Sequence, residues 1–221
     1  MPSTAQLIER FGASNASIQK AVGLLKGEGL VTSRAGASVQ VSTKRRQTMT
    51  PADYAAPAGE GEPYRWISEA ADQGFRGSSE LLSVGEVPAP REVAAAFGVP
   101  AGASVALRAQ VLFLDDQPAE LVESYYPLDM ARGTPLLEHR KIKGGTPTLL
   151  AGLGHLPQPG GTEDRVSACI PTPAQFTALH LPGELVPVLR TFRVVRSTAG
   201  RVVEATVMVK AGHRLELQYR F

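Results

Sequence analysis

Apolar residues near the start of the chain recur at helical spacing in a first short run. Leu7, Ile8 and Phe11 fall three or four residues apart, which places them on one face of a helix. Ser3 precedes this run and can cap it, because its hydroxyl accepts a backbone N–H that a helix start leaves unpaired. Gly12 follows the run. The pattern therefore predicts a short amphipathic helix that ends at this glycine.

A second run of the same kind follows at once. Ile18, Val22 and Leu25 share the apolar face of a second helix, and either Ser14 or Asn15 can cap it. The opposite face is polar. The sequence thus predicts two helices joined by a tight turn.

A β-hairpin is predicted directly after the second helix. Gly27 and Gly29 can end that helix, since glycine adopts the left-handed backbone of a helix C-terminus. Residues 30–31 and 39–41 are β-formers, and they flank a turn that carries Arg34 and Gly36. Two helices followed by a hairpin make a winged helix-turn-helix, which can place a helix in the major groove of DNA. A helical hairpin that only packs against its neighbour is the alternative.

The order of motifs in this stretch resembles the DNA-binding domain of the GntR family of bacterial repressors. The shared features are PS-x-x-x-L, FG-x-S, an amphipathic second helix, L-x-x-E-G-L-V and a wing that contains glycine. The resemblance implies that a set of polar residues lies near DNA. These residues are Ser3, Thr4, Ser14, Asn15, Ser17, Gln19, Lys20, Arg34 and Gly36.

Two features depart from that family. Asn15 and Gln19 stand where its members usually carry arginine, and asparagine and glutamine suit adenine better than guanine, so we expect a different operator. Family members also have one more helix upstream. Either a different start of translation or a natural truncation would explain this second departure. We expect the following side chains to lose part of their cover: Leu7, Ile8, Phe11, Ile18 and Val22.

Charge separates the start of the chain from the rest. Residues 1–46 carry a net charge of +5, whereas the remaining residues carry −3. A basic segment attached to a mildly acidic body is typical of a module that faces phosphate, although chance clustering in a short window would look the same. No apolar run is long enough to span a membrane and no signal-peptide pattern is present, so we expect a cytoplasmic protein.

The histidines and the single cysteine give no sign of a metal or a cofactor. Cys169 lies among apolar residues and is expected in a core rather than as a nucleophile. The four histidines lack the spacing of a metal-binding helix. We therefore expect neither metal nor cofactor.

Residues 44–63 are predicted to be a linker, because proline, glycine, alanine and mixed charge replace the periodic pattern. The predicted domains are 1–43, a short winged helix-turn-helix, and 64–221. In the second domain, residues 79–87 are predicted to be a strand that turns Leu82 and Val84 toward a core.

The pattern of the second domain predicts an α+β fold on an antiparallel sheet. Predicted helices cover 64–73, 90–97, 146–153 and 173–179, and predicted strands cover 79–87, 104–114, 118–126, 186–196, 201–209 and 215–221.

This second domain resembles the UTRA domain, the effector-binding module of the HutC branch of the GntR family. The similarity lies in residues 107–128, in 168–173 with 179–182, and in 200–204 with Tyr219. It implies the fold of chorismate lyase, in which six antiparallel strands and surrounding helices enclose a ligand pocket.

The same resemblance implies a set of effector-binding residues. They are Arg108, Glu123, Ser124, Tyr126 and Glu204. An arginine fork can pair with a carboxylate or phosphate, and carboxylates accept from hydroxyl or amine groups. The alternative for Arg108 is a structural ion pair with Glu123 across the hairpin.

These features together predict a transcriptional regulator, usually a repressor in this family, that binds operator DNA as a homodimer and responds to a small-molecule effector. The main alternative is a ligand-sensing or dimerisation protein in which the incomplete N-terminal domain, residues 1–43 (the head), does not bind DNA. A lyase-type enzyme is less favoured, because no nucleophile–base pair, metal motif or cofactor motif is present and fold alone does not give function. We therefore predict that the protein is not an enzyme.

Overall fold

The computed structural model describes residues 1–27, 30–32, 39–41, 47–51, 56–59 and 61–219. Helix α1 spans Thr4–Phe11 and begins at Ser3, whose hydroxyl accepts the backbone N–H of Gln6 while the Gln6 side chain accepts the N–H of Ser3. This reciprocal capping box satisfies two donors of the helix start. Gly12 ends the helix with a φ of 60°, in the left-handed region. The predicted first helix is confirmed at both ends.

Helix α2 spans Asn15–Gly27. The hydroxyl of Ser14 accepts the backbone N–H of Ser17 at 3.2 Å, so Ser14 caps the helix. Ile18 and Val22 are buried, whereas the Phe11 side chain of α1 is 65% exposed. Leu7 and Ile8 are half-buried. The predicted loss of cover is therefore confined to part of the apolar face.

Strands β1 (Val31–Thr32) and β2 (Gln40–Val41) pair antiparallel, with Val31 opposite Val41. They are the two arms of the predicted hairpin. Its turn, with Arg34 and Gly36, lies outside the described residues. The described residues thus contain the helix, turn, helix and strand pair that the sequence pattern predicts.

Part of the predicted linker is a packed strand, which corrects the expectation of a connector without packed structure. Strand β3 (Gln47–Met49) pairs in parallel with strand β10 (Leu215–Leu217), and Gln47 and Met49 are buried. Three residues are too few to show a clear alternation of apolar and polar positions, and the partner strand lies far along the chain. Sequence pattern alone therefore does not reveal this strand.

Six antiparallel strands form the central sheet, in the order β4–β5–β6–β9–β8–β7. This is the number and direction of strands that the resemblance implies. The strands are β4 (Gly77–Pro88), β5 (Ser104–Leu114), β6 (Gln117–Pro127), β7 (Pro157–Cys169), β8 (Val188–Ser197) and β9 (Val202–Ala211).

Strand β7 is absent from the predictions. It lies at one edge of the sheet and most of its side chains are exposed or half-buried, so it lacks alternation of apolar and polar residues. Pro157, Pro159 and two glycines at its start favour a loop instead. An edge strand tolerates such residues because one side of it needs no hydrogen-bonding partner.

Leu82 does not face the core, which corrects its predicted position in β4. The pairing of β4 with β5 shifts between Leu81 and Ser83, so that Leu82 has no partner residue and its side chain is 52% exposed. A β-bulge of this kind turns the following side chains to the other face.

Helices cover both faces of the sheet. Packed on one face are α3 (Arg65–Asp72), α5 (Leu128–Ala131) and α6 (Gly145–Gly152), with a short 3-10 helix at Pro135–Leu137. Packed on the other are α4 (Arg91–Phe97) and α7 (Pro173–Ala178). In the part of the chain described, no helix has the length and apolar character needed to cross a membrane.

Candidate functional site

Two adjoining cavities lie between the sheet and the helices α3 and α6. The inner cavity, of about 50 Å³, extends from Trp66 to Arg193, and the outer cavity, of about 360 Å³, is lined by Arg108 and by residues 141–146. Both are lined by Tyr64, Gln110, Ser124 and Thr146. The outer cavity alone falls in the range of about 300–1,000 Å³ that small-molecule sites occupy.

Two buried ion pairs lie in the wall of the inner cavity. Arg193 of β8 donates from Nε and Nη2 to the two carboxylate oxygens of Asp164 on β7, each at 2.7 Å. The Nζ of Lys210 lies 2.9 Å from an Oε1 of Glu120, and both side chains are almost fully buried. Burial opposes the charge on Arg193, but the hydrogen bonds to Asp164 and the nearby charge of Glu204 leave its pKa raised.

Glu204 is a third buried acid of the inner cavity. Its Oε1 accepts from the hydroxyl of Ser124 at 3.3 Å and from that of Thr206 at 2.6 Å. Burial raises the pKa of Glu204 above its ordinary value of 4.5, against the opposing effects of Thr206, Arg193 and Ser124. The carboxyl therefore gains a proton more readily than an exposed glutamate does.

Several buried polar atoms around the inner cavity have no partner among the described protein atoms. They include the acceptor Oε2 of Glu120, the donor Nε1 of Trp66 and the hydroxyl of Thr191, which can do both. A cation could not accept from the indole, and an anion could not donate to the carboxylate. A group that both donates and accepts, such as a hydroxyl, suits this lining best.

Arg108 holds a stretch of backbone at the edge of the outer cavity. Its Nη1 donates to the carbonyls of Pro135, Leu136 and Glu138 at 3.0–3.1 Å, and its Nη2 donates to that of Arg140 at 2.7 Å. Burial lowers the pKa of Arg108. Four carbonyls thus occupy most of the guanidinium, and the segment they hold leads into the cavity wall at Lys141 and Lys143.

Four of the five predicted effector residues line the cavities, and one does not. Arg108, Ser124, Tyr126 and Glu204 lie on the cavity side of the sheet. Glu123 is exposed on the opposite face, where its carboxylate accepts from the hydroxyl of Tyr125 at 3.0 Å. The alternative of an ion pair between Arg108 and Glu123 is therefore wrong.

The sequence predictions omit the two ion pairs of the inner cavity. Glu120 and Lys210 are each flanked by apolar residues in their strands, Ala119 and Leu121 in β6 and Val209 and Ala211 in β9. A charged residue in such a strand is unusual, and that signal could have identified both. Asp164 lies in the strand that the pattern misses.

A close approach at Gly145 positions Tyr64 at the boundary of the cavities. Gly145 has a φ of 82°, and a Cβ at this residue would lie 2.5 Å from Cδ2 of the Tyr64 ring. Only glycine allows this backbone to pass so near the ring. Burial raises the pKa of Tyr64, so its hydroxyl keeps its proton.

The predicted DNA-facing residues divide by role. The hydroxyls of Ser3 and Ser14 cap helices. The side-chain Nε2 of Gln19 lies 3.5 Å from the hydroxyl oxygen of Thr4. Asn15 and Lys20 are exposed on α2, as is Ser17, whose hydroxyl lies 3.0 Å from that of Ser14. The hydroxyl bonds of Ser3 and Ser14 thus explain those residues without reference to DNA.

The described residues contain no group of three or more His, Cys, Asp or Glu side chains that could hold a metal ion. Cys169 is half-buried and packs against the cluster around Leu179.

The raised pKa of Glu204 predicts a pH dependence of stability. Because the folded protein binds this proton more tightly than the unfolded chain does, the contribution of Glu204 to stability falls as pH rises from about 4.5 through its folded pKa. We expect Glu204→Gln to lose less stability than the native protein over that pH interval. Urea denaturation at a series of pH values measures this. Parallel pH profiles for the two proteins would contradict it.

A profile of the UTRA domain matches residues 72–216 of this chain. An HTH-type transcriptional regulator of Streptomyces coelicolor is 28% identical over 230 residues, which cover 100% of this chain and 84% of that protein. The fold is shared with PhnF of Mycobacterium smegmatis, with a TM-score of 0.65 and 19% identity over 100% of this chain and 91% of PhnF. It is also shared with a GntR-family transcriptional regulator, with a TM-score of 0.64 and 22% identity over 100% of this chain and 87% of the other.

Proposed function

Because this chain belongs to the UTRA domain family, we propose that it is a DNA-binding transcriptional regulator whose affinity for an operator depends on a small molecule in the cavities of the sheet. The relatives of known type are transcriptional regulators, and the described head has the helices and strand pair of a winged helix-turn-helix.

One observation carries this proposal. The connecting segment, residues 47–51, joins the head to the sheet, and its Met49 and Pro51 line the inner cavity. A molecule in the inner cavity would therefore contact the segment that connects the head to the sheet domain. A difference in ligand affinity between two arrangements of that segment is what allosteric control requires.

The effector is proposed to be small and polar. Ser124, Tyr126 and Glu204 are its proposed contacts, since all three line the cavities. Lys141 and Lys143 lie at the outer cavity and could attract an acidic group there. In this proposal Arg108 positions the backbone of residues 135–140 beside the outer cavity, and the bonds to those carbonyls leave little of its guanidinium for the ligand.

We also propose that the regulator acts as a repressor of the HutC type and binds as a homodimer to a two-fold symmetric operator. Asn15, Gln19 and Lys20 of α2 are proposed to enter the major groove, with Ser17 and the wing residues Arg34 and Gly36 beside them. Asparagine and glutamine at these positions favour adenine over guanine.

Fluorescence anisotropy on the DNA upstream of the coding sequence, at several salt concentrations, tests the proposal. We expect selective binding that weakens steeply with salt, because protein cations displace counterions from phosphate. We expect Lys20→Ala to weaken binding to all sequences and to reduce the salt slope by about 1. Arg91→Ala, which removes an exposed cation of the sheet domain that lines neither cavity, is the matched control. Equal binding to unrelated DNA would contradict the proposal.

The exposure of apolar side chains on the head favours a second candidate. Phe11 and Leu24 are both more than half exposed, so large apolar side chains of the head stay uncovered. A sensor whose head does not bind DNA would show effector binding without operator binding, so the same measurement separates the two candidates.

A further inference from the structure

We propose that Arg193 is the positioning residue that ties the inner cavity to the connecting segment. This inference rests on the proposed function, because it takes the inner cavity as the effector site. It goes further by naming the contact through which the cavity acts on the head.

Arg193 lies at a junction of three parts of the molecule. Its Nη2 donates to the carbonyl of Pro51 at 2.6 Å and also to Asp164, which pairs directly across from it in the neighbouring strand. Both side chains of this ion pair are about nine-tenths buried. The guanidinium therefore fastens the end of the connecting segment to β7 and β8.

Among the contacts of the described residues, the guanidinium donates from two of its three nitrogens. Its bonds to Asp164 and Pro51 use Nε and Nη2, and none of them uses Nη1. Arg193 lines the inner cavity with Glu204, whose charge is near enough to affect its pKa. A ligand oxygen that accepts from Nη1 would fix the guanidinium, and with it the hold on Pro51.

Among described residues, the other side-chain hydrogen bonds of the connecting segment go to residues that do not line the inner cavity. Thr48 exchanges two hydrogen bonds with the side chain of Gln73, which directly follows α3, and the N–H of Thr50 donates to Glu69 of α3. The carbonyl of Met49 accepts from Gln218 beyond β10. Arg193 is the charged residue that touches both the segment and the lining of the inner cavity among the contacts of described residues.

Amide hydrogen exchange on the full chain tests the role of Arg193. We expect Arg193→Gln to speed exchange in residues 47–51 by roughly tenfold or more, since one charge-assisted hydrogen bond to that segment is lost. Arg193→Lys keeps the charge opposite Asp164 but lacks the planar fork, so its effect should be intermediate. The matched control is Arg190→Gln, because Arg190 lies on the same strand and pairs with Glu92 instead.

A second readout reports on the head itself. A dye at Glu9→Cys, in a Cys169→Ala background, measures rotation of the head by time-resolved anisotropy. We expect faster rotation in Arg193→Gln and no change in Arg190→Gln. A purely structural role would lower global stability in urea without faster exchange confined to residues 47–51 and without faster rotation of the head.

Unchanged exchange in residues 47–51, or a change equal to that of Arg190→Gln, would overturn the inference. So would faster exchange with unaltered rotation of the head. Neither measurement needs operator or effector, so a failure to bind DNA would overturn the proposed function alone.

Discussion

Replacement of Arg108 by methionine is expected to lower the free energy of unfolding by roughly 3 kcal/mol or more. The guanidinium donates to four backbone carbonyls between Pro135 and Arg140, and a hydrogen bond to a charged group contributes about 1.5–3 kcal/mol. Methionine fills similar space but donates nothing, so the carbonyls lose their partner. Urea denaturation measures the loss, and hydrogen exchange should show it concentrated around residues 135–140.

The control for this prediction is an exposed arginine. Arg132 pairs with Glu86 at the surface, and such pairs contribute at most about 1 kcal/mol. An Arg108→Met protein no less stable than Arg132→Met would contradict the prediction. If the prediction holds, loss of effector binding in an Arg108 variant does not identify a ligand contact, because the segment that carries Lys141 and Lys143 is disturbed as well.

Replacement of Lys210 by methionine is expected to lower the free energy of unfolding by about 3–5 kcal/mol. Its partner Glu120 is 1% exposed, and a second oxygen of that carboxylate already lacks a partner among the described protein atoms. Removing the ammonium leaves a buried carboxylate with no opposite charge beside it. Equilibrium unfolding in urea provides the measurement.

The double variant Glu120→Leu with Lys210→Met is expected to recover most of that loss. When both charges are removed, no buried carboxylate is left without an opposite charge. An apolar pair of similar volume is often as stable as a buried ion pair. A double variant no more stable than Lys210→Met would show that the two side chains are not coupled. The half-buried pair Arg190–Glu92 offers a comparison in which single replacements should cost much less.

Local pattern was sufficient for the elements whose neighbours in space are also neighbours in sequence. The hairpin of β5 and β6 turns at Asp115 and Asp116, which both have positive φ, as a two-residue hairpin turn requires. The two helices of the head were also predictable from local sequence, because their caps and apolar faces come from residues close together in the chain. By contrast, β3 needs a partner some 168 residues away, and β7 is defined by its neighbour rather than by its own composition.

In the candidate site, too, some residues could be predicted from the sequence and others depend on strand pairing that the sequence does not reveal. Ser124 and Glu204 were predicted from the resemblance and do line the cavities, but Glu123 is one residue away from Ser124 and faces the opposite side. Because side chains alternate along a strand, an error of a single residue changes the face completely. The pairing of Arg193 with Asp164 depends on the register of β7 against β8, which sequence pattern does not supply.

The parallel pairing of β3 with β10 also has a consequence for synthesis on the ribosome. The chain emerges from its amino terminus, so the connecting segment is exposed long before residues 215–217 are made. The head can form early from its own local contacts, but the strand pairing that holds the connecting segment has to wait for residues 215–217. We therefore expect nascent chains that end before β10 to carry a folded head on a protease-sensitive tether, which pulse proteolysis of stalled ribosome complexes would detect.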